Sequence, residues 1–500
     1  MHQILRGISI AIAFMLVVAV TTPGADGTKD KLKKPAETPS ELPRIPNPHP
    51  GACELPNGFT AQIVTTGLNY PTSIEFDDRG VMYIAEAGES PGDEASLARV
   101  LRCIPQGPGT LTFEVVADQL AAPVNDILWH NGRLYISHRG KISVVDGGRV
   151  RDIVTGLPSM GDHTNNQMAA GPDGKIYFGQ GTATNSGVVG IDNFFLGWLH
   201  RHPNVRDIPA KDLKLTDDVS FESPDLLSFF TKQESKKIKT GAFQAFGKTS
   251  NDRTIKGETK ANGTILRMNA DGSDLEVFAW GLRNPYGLKW SADGKLYCSE
   301  STLDDRGSRP VANVPDCIWE IKEDAWYGWP DYGAGVPVTD ARFKPKEGPA
   351  PKFLMKEHPK VEKPLFETDP HASAVKFDFS PGGAFGENQM YLALHGDLSP
   401  ITGSAPPNMM SYMVARIDMK TWKAEPFFRA RKDALGPEGF EHVATAGPRR
   451  PIAVRIAPRG DAMYVVDFGS IAMLPTAIGP SPKSFPGTGT IWAITPAATR

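Results

Sequence analysis

NPYGLKWSADGKLYCSES, residues 284–301, decides the fold, because its pattern returns six times along the chain. An apolar alternation leads to a tight turn at Gly294, and a second alternation carrying Tyr297 follows. The other copies are PTSIEFDDRGVMYIAEAG from Pro71, PVNDILWHNGRLYISHRG from Pro123, NNQMAAGPDGKIYFGQG from Asn165, ASAVKFDFSPGGAFGENQMYLALHG from Ala372 and RPIAVRIAPRGDAMYVVDFG from Arg450. Period-two alternation on both sides of a glycine turn is a β-hairpin, with Gly supplying a positive φ that other residues resist. A unit repeated at this spacing cannot bury its apolar face alone and stacks with its copies. Six hairpins therefore predict an all-β, six-bladed β-propeller, and companion strands such as GTILRMNADGSDLEVFAWGL (263–282) fill out four-stranded blades.

The spacing between copies is uneven. The turn glycines Gly80, Gly132 and Gly174 lie 52 and 42 residues apart, but Gly294 follows only after 120. Residues 191–262 and 303–366 carry the excess and read as insertions gathered on one face, where loops bind ligands.

Ahead of the repeats, Arg6, the apolar run ISIAIAFMLVVAV (8–20) and the small residues after it have the form of a signal peptide, assigned to residues 1–25. The run is shorter than the roughly 20 residues that a membrane span needs. Residues 26–50 hold proline among Lys, Glu and Ser with little to bury, which predicts an extended linker, and the propeller is assigned to 51–500. A periplasmic or secreted location follows from this reading. With 54 Lys and Arg against 57 Asp and Glu, and no basic stripe, nucleic acid is not an expected partner. In an exported chain the four cysteines predict disulfides, with Cys53–Cys103 and Cys298–Cys317 closing the shortest loops. No GxSxG elbow, P-loop or dinucleotide fingerprint occurs.

Three phrases carry a family resemblance: DHTNNQMAAGPDGKIYFGQGT (162–182), GLRNPYGLKWSADGKLYCSES (281–301) with WYGWP (326–330), and RPIAVRIAPRGDAMYVVDFG (450–469). They resemble the PQQ-dependent soluble glucose and sorbosone dehydrogenases, over roughly residues 55–495. The resemblance implies oxidation of a sugar or related polyol, with the quinone PQQ as hydride acceptor and electrons passed on to a diffusible or membrane acceptor. It implies that His163, just upstream of the GPDG turn, is the catalytic base, because a neutral imidazole can take a hydroxyl proton. Arg283, Asn284 and Arg450 match positions that hold PQQ, for which a planar guanidinium suits both a carboxylate and an aromatic face. Ca²⁺ is implied beside PQQ on the backbone carbonyls of Thr302 and Leu303, with Asp304 and Asp305 as nearby hard oxygens. The chain departs from the pattern at Thr182, where the family carries an aspartate near the histidine, and at Ile452, where it carries a second arginine. Arg449 and Arg455 are the cations nearest the second gap, and Asp162 the carboxylate nearest the first. Those departures suit a rival expectation, a non-catalytic propeller that binds carbohydrate or a surface partner, and a metal-dependent propeller hydrolase is a third.

Overall fold

A computed structural model describes residues 42–93, 96–107, 110–225, 237–403, 406, 409–476 and 479–497. The predicted signal segment and the first part of the linker lie outside these residues. Among the described residues no helix is long and apolar enough to cross a membrane.

The chain forms a six-bladed β-propeller. Its six main sheets begin with inner strands Pro71–Phe76, Val124–His130, Asn165–Ala170, Asn284–Trp290, Ala374–Phe379 and Pro451–Ile456, which define blades one to six. Each inner strand packs against the next, and that of blade six packs against blade one, so the ring is closed. The closing strand comes from the other end of the chain. Phe59–Leu68 pairs antiparallel with Gly489–Pro496 and forms the outer edge of blade six. Cys53–Glu54 similarly adds a fifth strand to blade five. The residues just before them are docked rather than extended away: His49 N donates to Ala446 O at 2.8 Å, and Arg449 donates to Pro46 O at 2.5 Å.

Apolar clusters fill the gaps between neighbouring blades, as with Ile136 against Val100 and Trp319 against Ala279. The inner strand of blade one is buried at every position, polar ones included. Its alternation therefore separates two buried faces. Ile74 and Phe76 turn to the inter-blade core, while Ser73 and Glu75 line the central channel. Every blade contributes a polar group there, and the cations are spent on carboxylates. Lys376 Nζ reaches across from blade five to Asp126 Oδ1 (2.8 Å), Thr72 O (3.0 Å) and Asn125 O (2.5 Å), Arg455 pairs with Glu75, and Lys289 with Asp378. A cavity of about 210 Å³ remains toward the far mouth.

The expected disulfides are absent: all four cysteines are free. Cys298 faces Trp319 and Cys317 faces Glu300 on paired strands. The two thiols are thus diagonal neighbours, whose Cα atoms lie roughly 7–8 Å apart in a sheet, beyond the span that a disulfide closes without backbone movement. Cys53 sits on the edge of blade five and Cys103 on the third strand of blade one, with blade six between them. Burial pushes both of these thiols up to about 12.

Candidate active site

The inner strands all start at the same face of the ring, so the one to three residues ahead of each start land on that face. His163 precedes the inner strand of blade three, Arg283 that of blade four, His371 that of blade five and Arg450 that of blade six. The expected insertions also gather here. Residues 181–225 with 237–263, and 302–314, leave from the site-face ends of second strands, and 322–330 climb back to this face beside the outer strand of blade three, where Trp326 bridges Trp280.

His163 is half-buried, with Nδ1 3.0 Å from the backbone carbonyl of Thr182. A carbonyl only accepts, so Nδ1 carries the proton and Nε2 holds the free lone pair. The ring is thus oriented without a carboxylate, by a group that any residue at 182 would supply. The Thr182 hydroxyl instead donates to Thr184 O at 2.6 Å. Asp162 does not reach the ring: it accepts from Asn193 Nδ2 (2.9 Å) and Trp198 Nε1 (2.5 Å) and pairs with Arg306 at 2.6 Å. Burial, reinforced by the charge of Arg283, pulls the His163 pKa down to about 3.

Arg283 is fixed at both ends. Its N–H donates to Glu300 Oε1 at 2.5 Å, and its guanidinium pairs with Asp304 Oδ2 at 2.6 Å. Asp304 is shared with Arg306 (3.2 Å) and His371 (3.3 Å), and although burial opposes it, the Arg283 charge keeps this carboxyl well below the usual range. Asp304 is therefore the centre of an ion-pair cluster rather than a carboxylate free for a cation. Arg306 ties the cluster to blade three through Asp162 and Asp192. Asn284 accepts from Asn166 Nδ2 at 2.9 Å, which links blades three and four beside the histidine.

Arg450 lies on the site face, but its guanidinium donates to the backbone carbonyls of His395 (3.3 Å), Gly396 (3.2 Å) and Asp397 (2.9 Å) and stacks 5.0 Å over Tyr412. Ile452 is in the apolar core. Neither nearby cation replaces the missing arginine: Arg449 is held by Thr488 O and Pro46 O, and Arg455 points into the channel toward Glu75. Thr302 is pinned by Asp316 Oδ1 (2.8 Å) and Pro315 O (2.8 Å), with Leu303 buried beside it. Among the described residues no group of three or more His, Cys, Asp or Glu is arranged to hold a metal. A cation at 302–303 would therefore rest on backbone oxygens.

Sequence reading missed Arg306 and His371. Arg306 lies in an insertion without a repeat to index it, but His371 stands just ahead of the fifth repeat and His163 just ahead of the third, and that position was the available signal.

One sector of this face is short of partners. Arg283 Nε, His395 Nδ1, His442 Nδ1 and Thr402 Oγ1 are buried with no hydrogen-bond partner among the described residues. They belong to blades four, five and six. Buried polar atoms are normally satisfied, so such a group marks a place that a polar ligand or water completes.

Residues 238–399 match the family model described as Glucose / Sorbosone dehydrogenase, a span that holds Arg283, Asn284, Thr302, Leu303 and His371. No curated protein matches the chain. Among solved structures, the holo form of the pyranose dehydrogenase PQQ domain from Coprinopsis cinerea is similar at 15% identity and TM-score 0.54, over 90% of this chain and 98% of that one. A calcium structure of Trichoderma reesei Carbohydrate-Active Enzymes Family AA12 is similar at 15% identity and TM-score 0.53, over 92% and 100%. At these identities the likeness carries the fold. This chain is thus a six-bladed propeller whose residues 238–399 match the Glucose / Sorbosone dehydrogenase family model.

Proposed function

We propose that this protein is an exported sugar dehydrogenase that oxidises the C1 hydroxyl of an aldose or related polyol and uses PQQ, with Ca²⁺, as its acceptor. The observation that carries the reading is the placement of His163, with Nε2 free to accept a proton, beside Arg283 and Asn284 on the face where partnerless buried groups collect.

The residues present fit a flat, acceptor-rich anion in part. Arg283 Nε and Thr402 Oγ1 are donors without acceptors, and Arg283 and Asn284 stand where such a group would lie. Ile452 leaves one carboxylate without a cation, and Asp304 already occupies the Arg283 fork. Bound there, the quinone would supply the acceptor for the C1 hydride. His163 takes the hydroxyl proton, and the Thr182 carbonyl keeps its ring in the required tautomer. A carboxylate drawn to Arg283 would weaken that cation's field on His163 and so raise its basicity, against the larger effect of burial. Thr302 and Leu303 would offer carbonyl oxygens to Ca²⁺.

The non-catalytic reading draws on one observation, that both arginines expected to grip the cofactor are engaged within the protein. Titration calorimetry of the purified protein with PQQ, with and without Ca²⁺, followed by dye reduction with a panel of aldoses, separates the two. The dehydrogenase predicts Ca²⁺-dependent binding, and dye reduction that falls by about 10²–10⁴-fold in His163→Asn. Absence of PQQ binding under both conditions refutes it and leaves a binding propeller.

A further inference from the structure

Blade six carries a hairpin that the repeat does not require. After its second strand, Met463–Asp467, the chain forms paired strands Ile471–Thr476 and Gly479–Ser484 before the third strand begins at Gly489. The second strand of the blade ends on the site face, so the hairpin stands on that face. One foot is beside Arg450, whose backbone N donates to Asp467 Oδ1 at 2.8 Å. The strand Gly479–Ser484 then crosses blade one. Ser484 Oγ meets Ser90 Oγ at 2.6 Å and donates to Pro91 O at 2.6 Å, and Gly92 lies so close to Pro482 O that a Cβ there would collide. The same strand packs against the short helix Asp192–Phe195, which belongs to the insertion of blade three, on the opposite side of a six-membered ring. That helix is fixed next to His163: Asn193 Nδ2 donates to Asp162 Oδ1 at 2.9 Å, and Arg306 grips both Asp162 and Asp192.

The two insertions thus join into an arch that runs from the Arg450 position to the His163 position, with blade one beneath it. Beneath the face, Lys376 spans the channel from blade five to blades one and two.

We infer that this arch, made by the hairpin strands 471–476 and 479–484 and the helix Asp192–Phe195, sets the size of substrate that reaches His163. It admits a mono- or disaccharide end-on and excludes a polysaccharide chain that must lie across the face. The substrate class rests on the dehydrogenase reading, whereas the arch itself rests on the contacts alone. A wall held by packing and two serine contacts opens locally at far lower cost than the blades unfold.

The test shortens the hairpin by replacing residues 473–482 with two glycines and, separately, unties its foot with Ser90→Ala and Ser484→Ala. Circular dichroism checks the fold. Carbethoxylation by diethyl pyrocarbonate, read by mass spectrometry, reports access to the neutral His163 ring, with His130 at the far end of its blade as internal reference. Labelling of His163 is expected to rise about tenfold in the shortened variant and less in the serine variant. The kcat/KM ratio of a maltohexaose to glucose is expected to rise with it. Unchanged labelling in a folded variant overturns the arch, and raised labelling with an unchanged sugar ratio overturns its role in selection. Raised labelling with no sugar oxidised by any form, wild type included, keeps the arch and removes the dehydrogenase reading instead.

Discussion

Lys376→Met tests what holds the ring closed. Lys376 is 1% exposed and binds one carboxylate and two backbone carbonyls from two blades on the other side of the channel. Methionine keeps the length of the side chain but leaves Asp126, itself 2% exposed, without its cation. Breaking a buried pair by removing one partner costs about 3–5 kcal/mol, because an uncompensated charge remains in a low dielectric. A folded unit of roughly 450 residues has a melting entropy near 1 kcal/mol/K, so the midpoint should fall by about 3–5 °C. Differential scanning calorimetry measures this directly. Asp126 also accepts from Ser73 Oγ (2.8 Å) and Met168 N (2.9 Å), so in Lys376→Met/Asp126→Asn the amide oxygen keeps one of these contacts and the buried charge is gone. The double variant should therefore melt above the single one, whereas a loss below about 1 °C in Lys376→Met would show that the channel is wet enough to solvate Asp126 and that the lysine does not brace the ring.

The cysteines and His138 lead to two further outcomes. With all four cysteines free, dithiothreitol should leave the melting temperature unchanged, and a thiol reagent should count four groups only after denaturation; a lower melting temperature in reductant would restore a disulfide. His138, 3% exposed, accepts from Ala121 N at 3.1 Å and lies 2.7 Å from Ser143 Oγ, and burial holds its pKa at about 4. The unfolded chain, at its ordinary value near 6.5, binds the proton first, so stability is lost as pH falls from about 6.5 toward 4, by about 2 kcal/mol at pH 5. His138→Gln should flatten part of that acid limb in urea titrations at pH 7 and pH 5, and an unaltered limb would clear this residue of it.

The blades were legible because a hairpin is local physics. Alternation and a glycine turn are fixed within some twenty residues, and six copies leave few architectures that bury them all. The insertions were legible as excess length between copies. The disulfides were misread because spacing along the chain says nothing about register, and register put Cys298 opposite Trp319 rather than Cys317. The site was legible only where the family phrases named it: His163, Arg283, Asn284 and Arg450 do reach one face, yet their partners were not foreseen. Asp304 takes the Arg283 fork from 21 positions downstream, three carbonyls of blade five take Arg450, and a backbone oxygen orients His163 in place of an aspartate.

The sequence by itself determined the blade count, because the repeat is written in residues a few positions apart, and it determined that loops would crowd one face. Tertiary structure alone decided ring closure by Phe59–Leu68, the bracing of the channel by Lys376 and the meeting of the blade six hairpin with the blade three helix. Each of these joins residues hundreds of positions or half a ring apart, where the energy comes from burial and charge pairing that exist only once the six blades have closed.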